Sequence, residues 1–256
     1  MLISLVFMTS FGTWGLPQMV QKFYAIKDET MIKKAAIVTT VFAVIIVFAA
    51  YFNGAMAHIF YDKLPMANGA PAFDKIIPDL LKNNLPESLM AVILLLVLSA
   101  SMSTLSSLVL VSSSSIAIDL YKGHVNPDIS KENSVAMMRF LSGLFIVISF
   151  FIARYKFAVI VTLMSLSWGA VAGTFMAPYL YGLFWKRTTR AGAVAGMFTG
   201  LFLAIGLFFY LGPSKSPIAS SIAMIVPFFV VPVVSLFTQP PEQKVIDTAF
   251  EGITKS

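Results

Sequence analysis

Seven apolar blocks, at residues 1–24, 34–61, 86–118, 134–155, 157–185, 190–211 and 217–237, leave little room in this 256-residue chain for anything but connections. Each is long enough to cross the ~30 Å hydrocarbon core of a bilayer as a helix rising 1.5 Å per residue. Ten-residue alternating segments, the mark of a membrane barrel, are absent. Charged residues make up only 12% of the chain and apolar ones 58%, against about a quarter charged in a soluble domain. The pattern predicts an all-α polytopic membrane protein with about seven transmembrane helices, its partner the lipid bilayer.

The formal charge of +6 lies in the connections and not along one face, so it reads as topology and implies no nucleic-acid partner. With the first block running inward, twelve Lys and Arg fall on the cytoplasmic side and six on the other. The positive-inside rule then puts the N-terminus outside and the C-terminal tail in the cytoplasm, in a multi-pass protein of the cell membrane. An external N-terminus without a basic signal-peptide n-region is awkward to insert, which leads to the expectation of a truncated chain preceded by earlier spans. The outer loop 62–85 carries an amphipathic piece at Ile76, Ile77, Leu80 and Leu81, expected to lie on the surface.

Ten hydroxyls crowd residues 99–115: Ser99, Ser101, Ser103, Thr104, Ser106, Ser107 and Ser112 to Ser115. On a helix, Ser99, Ser103, Ser106, Ser107 and Ser114 share one stripe, turned away from Leu105, Leu108, Val109 and Val111. Two readings fit. Small hydroxyl residues let helices approach closely and bond back to their own carbonyls. Alternatively, neutral oxygens are the hard ligands of an alkali cation that sheds water, and Ser103, Thr104 and the carbonyl of Ala100 one turn back offer three.

The stretch "MTSFGTWGLPQMVQKF" places Gly12, Gly15 and Pro17 in the middle of the first block. Gly weakens a helix and Pro removes a backbone donor, so a break or a Pro kink is expected. Broken helices in membranes occur where backbone is buried in protein or lines a wet cavity, and transporters hold solutes there. Gly192, Gly196 and Gly200 form a small-residue ridge expected to pack on a neighbouring helix. Asp119 is expected at a helix C-terminus beside Lys122, and Pro227 and Pro232 are expected to bend the last span. No His-Glu-x-x-His, Gly-x-Ser-x-Gly, Cys or intramembrane carboxylate pair supports an enzyme. A channel or structural membrane subunit remains the alternative to coupled transport.

Three stretches together resemble the sodium/solute symporter family, whose members include sodium/proline and sodium/pantothenate permeases. "MSTLSSLVLVSSSSIAIDLY" (102–121) resembles the family's sodium-site helix, "GTWGLPQ" (12–18) its broken substrate helix, and "GLFWKRTTRAGAVAGMFTG" (182–200) its second signature. Phe198 and Phe202 are bulkier than that signature usually allows. The resemblance implies the second half of a five-plus-five inverted-repeat fold over residues 1–185, two peripheral helices over 186–237, and a cytoplasmic tail over 238–256. It implies sodium at the Ala100 carbonyl and the Ser103 and Thr104 hydroxyls, completed by a helix of the first repeat that is missing here. Sodium is then the coupling ion, with no other cofactor. The solute is implied at Thr13, Trp14 and Gln18, with Trp168 on the fifth block, and is a small organic molecule, an amino acid such as proline or a carboxylate such as pantothenate. Thr13 stands where many sugar and proline members carry Tyr, which argues against a sugar.

Overall fold

The computed structural model describes residues 1–17, 19–20, 26–61, 63, 65–67, 70–155 and 159–251. They form two compact units, one of Met1–Lys34 with Ile160–Ser256, the other of Ala35–Val159. Six helices among the described residues are long and apolar enough to cross a membrane, joined by a shorter apolar stretch, Leu2–Gly15. The first block therefore differs from the other six. Its α1 (Leu2–Phe11) gives way to a 3-10 turn at Gly12–Gly15 and then to extended backbone at Leu16, with φ −86° and ψ 114°. Helical bonding resumes beyond, where the Leu16 carbonyl accepts from the Met19 and Val20 amides. The expected interruption is present, and it falls where two glycines and a proline weaken the helix.

The rest of the first unit is built on α6 (Ile160–Phe184), α7 (Arg190–Leu211), α8 (Ser216–Ile225) and α9 (Pro227–Phe237). The ridge of Gly192, Gly196 and Gly200 is buried against neighbouring helices, as expected. A Cβ at Gly192 would run into the Ser235 side chain, one at Gly196 into Val231, and one at Gly200 into the Gly173 backbone. Without hydrophobic drive between helices in lipid, such close approach is what gains contact energy. Polar stitches join several of the other helix pairs. Ser220 Oγ donates to the Ser165 carbonyl (2.6 Å), Tyr181 to the Phe228 carbonyl (2.9 Å), and Ser221 Oγ to the Ser4 carbonyl of α1 (3.1 Å). Met8, Ala172, Met176 and Met224 form the buried apolar cluster where α1, α6 and α8 meet. The backbone of the last span stays helical at Val226 (φ −57°, ψ −40°), where Pro227 removes one amide from the helix bonding, and Pro232 sits inside α9.

The second unit holds most of α2 (Glu29–Phe60), then α3 (Phe73–Asn84), α4 (Glu87–Ser114) and α5 (Lys131–Tyr155). A two-residue strand pair, β1 (Met66–Ala67) with β2 (Ala70–Pro71), precedes α3, the amphipathic helix expected in the outer loop. Tyr61 at the end of α2 donates to the Ile76 carbonyl of α3 (3.4 Å). Helix α4 does not end near Asp119. It widens into a π-helix over Ser115–Val125, so Asp119 lies inside a helical segment and not at a C-terminus. Each backbone bond in that segment spans one residue more, a form rare outside single turns and common at functional sites.

Candidate functional site

The interruption in the first block is seated rather than loose. Gly12 and Gly15 are buried. A Cβ at Gly15 would lie 2.7 Å from the Ala172 Cα, and one at Gly12 would lie 3.3 Å from Cε3 of Trp168 and 3.2 Å from the Met224 methyl. Only a residue without a side chain lets the turn rest so closely on α6. Trp14 is 53% exposed, with its ring edge-on to Phe11 at 5.6 Å.

Beside the break lies a cavity of about 410 Å³ walled by Trp14, Gly15, Pro17 and Val20 on one side and Phe175, Pro178 and Tyr179 of α6 on the other. Its size suits a small ligand, and among the described residues its walls are apolar and aromatic with one phenol and no charged side chain. Of the three expected solute residues that are described, Trp14 is found in its lining. Thr13 turns its hydroxyl to the Ser10 carbonyl (3.4 Å), and Trp168 packs behind Gly12, partly buried against the Met8 cluster. Gln18 lies outside the described residues. Phe175, Pro178 and Tyr179 escaped sequence reasoning because nothing in the run "FMAPY" says which face of α6 meets the break.

A larger cavity, about 570 Å³, lies in the second unit between the end of α2 and α3, lined by Gly54, Ala57, His58, Tyr61, Phe73, Ile76 and Ile77. Volume alone would favour it. The smaller cavity is the better candidate because it coincides with the interruption, the place where backbone polar groups leave regular helix bonding.

On α4 the hydroxyls mostly bond back along their own helix. Thr104 donates to the Ala100 carbonyl (3.1 Å), Ser106 to Met102 (2.8 Å), and Ser107 to Ser103 (3.0 Å). Ala100, Ser103 and Thr104 are exposed within their unit. Thr104 Oγ1 and the Ala100 oxygen are close enough to share one cation. At a typical oxygen–cation distance of about 2.4 Å the pair would subtend roughly 80° at the ion. The buried hydroxyl of the run is instead Ser113, which bonds the Val109 carbonyl (2.8 Å) and accepts from Ser142 Oγ of α5 (3.0 Å). That stitch is the helix-packing reading of the run, realised at its C-terminal end.

The family model of the sodium:solute symporter family matches residues 1–200. The chain belongs to the sodium:solute symporter family. Within this family it is similar to a sodium/proline symporter of Haemophilus influenzae, 28% identical over 245 residues, covering 93% of this chain and 48% of that protein. It is likewise similar to the high-affinity proline transporter PutP of Bacillus subtilis, 30% identical over 94% of this chain and 50% of that one. A sodium/proline symporter of Escherichia coli is 26% identical over 76% of this chain and 39% of its own length. The chain thus spans about half the length of the first two of these symporters, or less. No solved structure matches it.

Proposed function

We propose that this chain is part of a sodium-coupled symporter whose solute is a small zwitterionic amino acid of the proline type. The observation that carries the reading is the glycine-seated interruption of the first block beside an aromatic-walled cavity of about 410 Å³. A compact solute with an apolar ring suits Trp14, Phe175 and Tyr179, and the Tyr179 phenol offers its charged groups a hydrogen bond. Thr13 and Gln18 border the same stretch of chain, and Trp168 holds the turn from behind. The proline transporters among the relatives support this choice over a pantothenate-like carboxylate.

Sodium binds at the Ala100 carbonyl with Ser103 and Thr104, its remaining oxygens coming from outside α4. Removing water from the ion favours a site of neutral oxygens, since no formal charge then has to be buried. If ion and solute stabilise the same state of the protein, each raises the affinity for the other by the same factor, about 1–3 kcal/mol in typical coupled sites. The inward-negative potential adds about 2.3 kcal/mol per charge for every 100 mV. Residues 1–185 form the second repeat of the transporter core, 186–237 two peripheral helices and 238–256 a cytoplasmic tail. The Lys and Arg bias supports that orientation in the cell membrane.

Uptake of labelled proline by cells producing the complete protein tests the reading. Ser103→Ala and Thr104→Ala together should raise the sodium concentration for half-maximal uptake by tenfold or more. Unchanged sodium dependence removes the ion site, and absence of saturable proline uptake in the unaltered protein removes the solute.

A further inference from the structure

The turn between α6 and α7 holds Lys186, Arg187 and Arg190 within five residues, and the symport reading uses none of them. The turn is rigid. Thr189 caps α7 by accepting from the Gly192 amide (3.1 Å), its own amide donates to Ser235 Oγ (3.2 Å), and its hydroxyl bonds Thr238 (2.7 Å). Arg187 donates to the Leu236 carbonyl at the end of α9 (3.3 Å). The three cations are thus displayed on a fixed frame.

Apolar and aromatic groups gather at the same end. Phe184 and Phe237, the last residues of α6 and α9, are 79% and 88% exposed. Trp185 stacks edge-on with Tyr181 at 5.6 Å, the kind of aromatic pair enriched at headgroup level. Against this turn lies α10 (Gln243–Phe250), with the Lys186 ammonium 5.5 Å from the centre of the Phe250 ring. Its apolar residues Val245, Ile246, Ala249 and Phe250 share one arc. Ile246 and Phe250 are partly buried, while Val245 and Ala249 on the same arc are exposed. The carboxylates Asp247 and Glu251 fall on the opposite arc with Lys244, and Asp247 is engaged by Gln243 (2.9 Å).

We propose that this end of the protein is an anionic-lipid surface, with the phosphate headgroups of acidic phospholipids at Lys186, Arg187 and Arg190 and α10 lying in the interface on Val245 and Ala249. An amphipathic helix binds a membrane through its buried apolar area together with attraction to anionic lipid, and both components meet here. The acidic groups of α10 face away from the proposed lipid side, so they do not cancel the cations there.

These 256 residues hold no Cys, so with any Cys elsewhere in the complete protein replaced by Ser, a Val245→Cys carrying a bimane fluorophore reports the depth of α10. The labelled protein is reconstituted into vesicles of phosphatidylcholine alone or with 30% phosphatidylglycerol, with brominated phosphatidylcholine as quencher in both. Quenching should be at least twofold greater with phosphatidylglycerol, and Lys186→Gln, Arg187→Gln and Arg190→Gln together should abolish the difference. Arg190→Gln alone, at an exposed position, keeps the test open if the triple variant does not fold. Each cation near the surface is worth about a fivefold change in anionic-lipid dependence. Free inorganic phosphate should not replace the lipid. Equal quenching in the two vesicle types, survival of the difference in the triple variant, or equal quenching of a probe at Asp247→Cys overturns the proposal.

Discussion

Replacing Gly15 by Ala adds one methyl group where the interrupted segment rests on α6, and the structure sets its cost. The new Cβ would lie 2.7 Å from the Ala172 Cα and 2.9 Å from its carbonyl oxygen. Carbon contacts are favourable at about 3.5–4.0 Å, so the turn must lift by about 1 Å from a helix whose backbone cannot yield. Overpacking of this kind costs about 1–3 kcal/mol, roughly 3–10 °C in melting temperature for a protein of this size. Gly12→Ala should cost less, because its contacts are the Met224 methyl at 3.2 Å and an edge of Trp168 at 3.3 Å, both side chains that can shift. Gly206→Ala, a helical position in α7 with nothing within 4 Å, should be neutral or stabilising by up to about 1 kcal/mol. Thermal unfolding of the purified protein and proline uptake, measured on the three variants, should rank them Gly15→Ala, Gly12→Ala, Gly206→Ala in order of damage. A Gly15→Ala protein that melts and transports like the unaltered one would show that the turn is not held on α6, and the cavity beside it would lose its wall.

Gly200→Ala should be at least as damaging as Gly15→Ala, because its Cβ would collide with the Gly173 carbonyl; yield and monodispersity in detergent are the readouts. Ser113→Ala should lose about 0.6 kcal/mol, the average worth of an interhelical hydrogen bond in a membrane, and a double-mutant cycle with Ser142→Ala should assign most of that loss to the pair. At the start of α2, the Thr30 hydroxyl (2.5 Å) and then the Met31 amide (3.0 Å) hold the Asp28 carboxyl below its usual range. A depressed carboxyl contributes above its unfolded value of about 3.9 and loses that contribution as pH falls through the lower folded value. Hydrogen exchange at Met31 should therefore lose protection on acidification, and Asp28→Asn should remove that pH dependence.

Much of this protein follows from the order of its residues alone. Apolar blocks bounded by charge fix where helices can cross a bilayer, because a backbone in lipid must satisfy its own hydrogen bonds. The same local logic located the interruption at Gly12, Gly15 and Pro17, whose effects act within a turn or two of chain. The close packing of Gly192, Gly196 and Gly200 was legible because a helical repeat puts them on one face. Tertiary structure alone decided what those features touch. That Gly15 rests on Ala172, that Phe175, Pro178 and Tyr179 complete the cavity, and that Ser113 finds Ser142 are contacts between residues far apart in sequence, set by the rotation of one helix about another. The π-helix beyond Ser114 was equally hidden, since it depends on hydrogen-bond register and not on residue type. Periodicity says which residues share a face, and only packing says what that face meets.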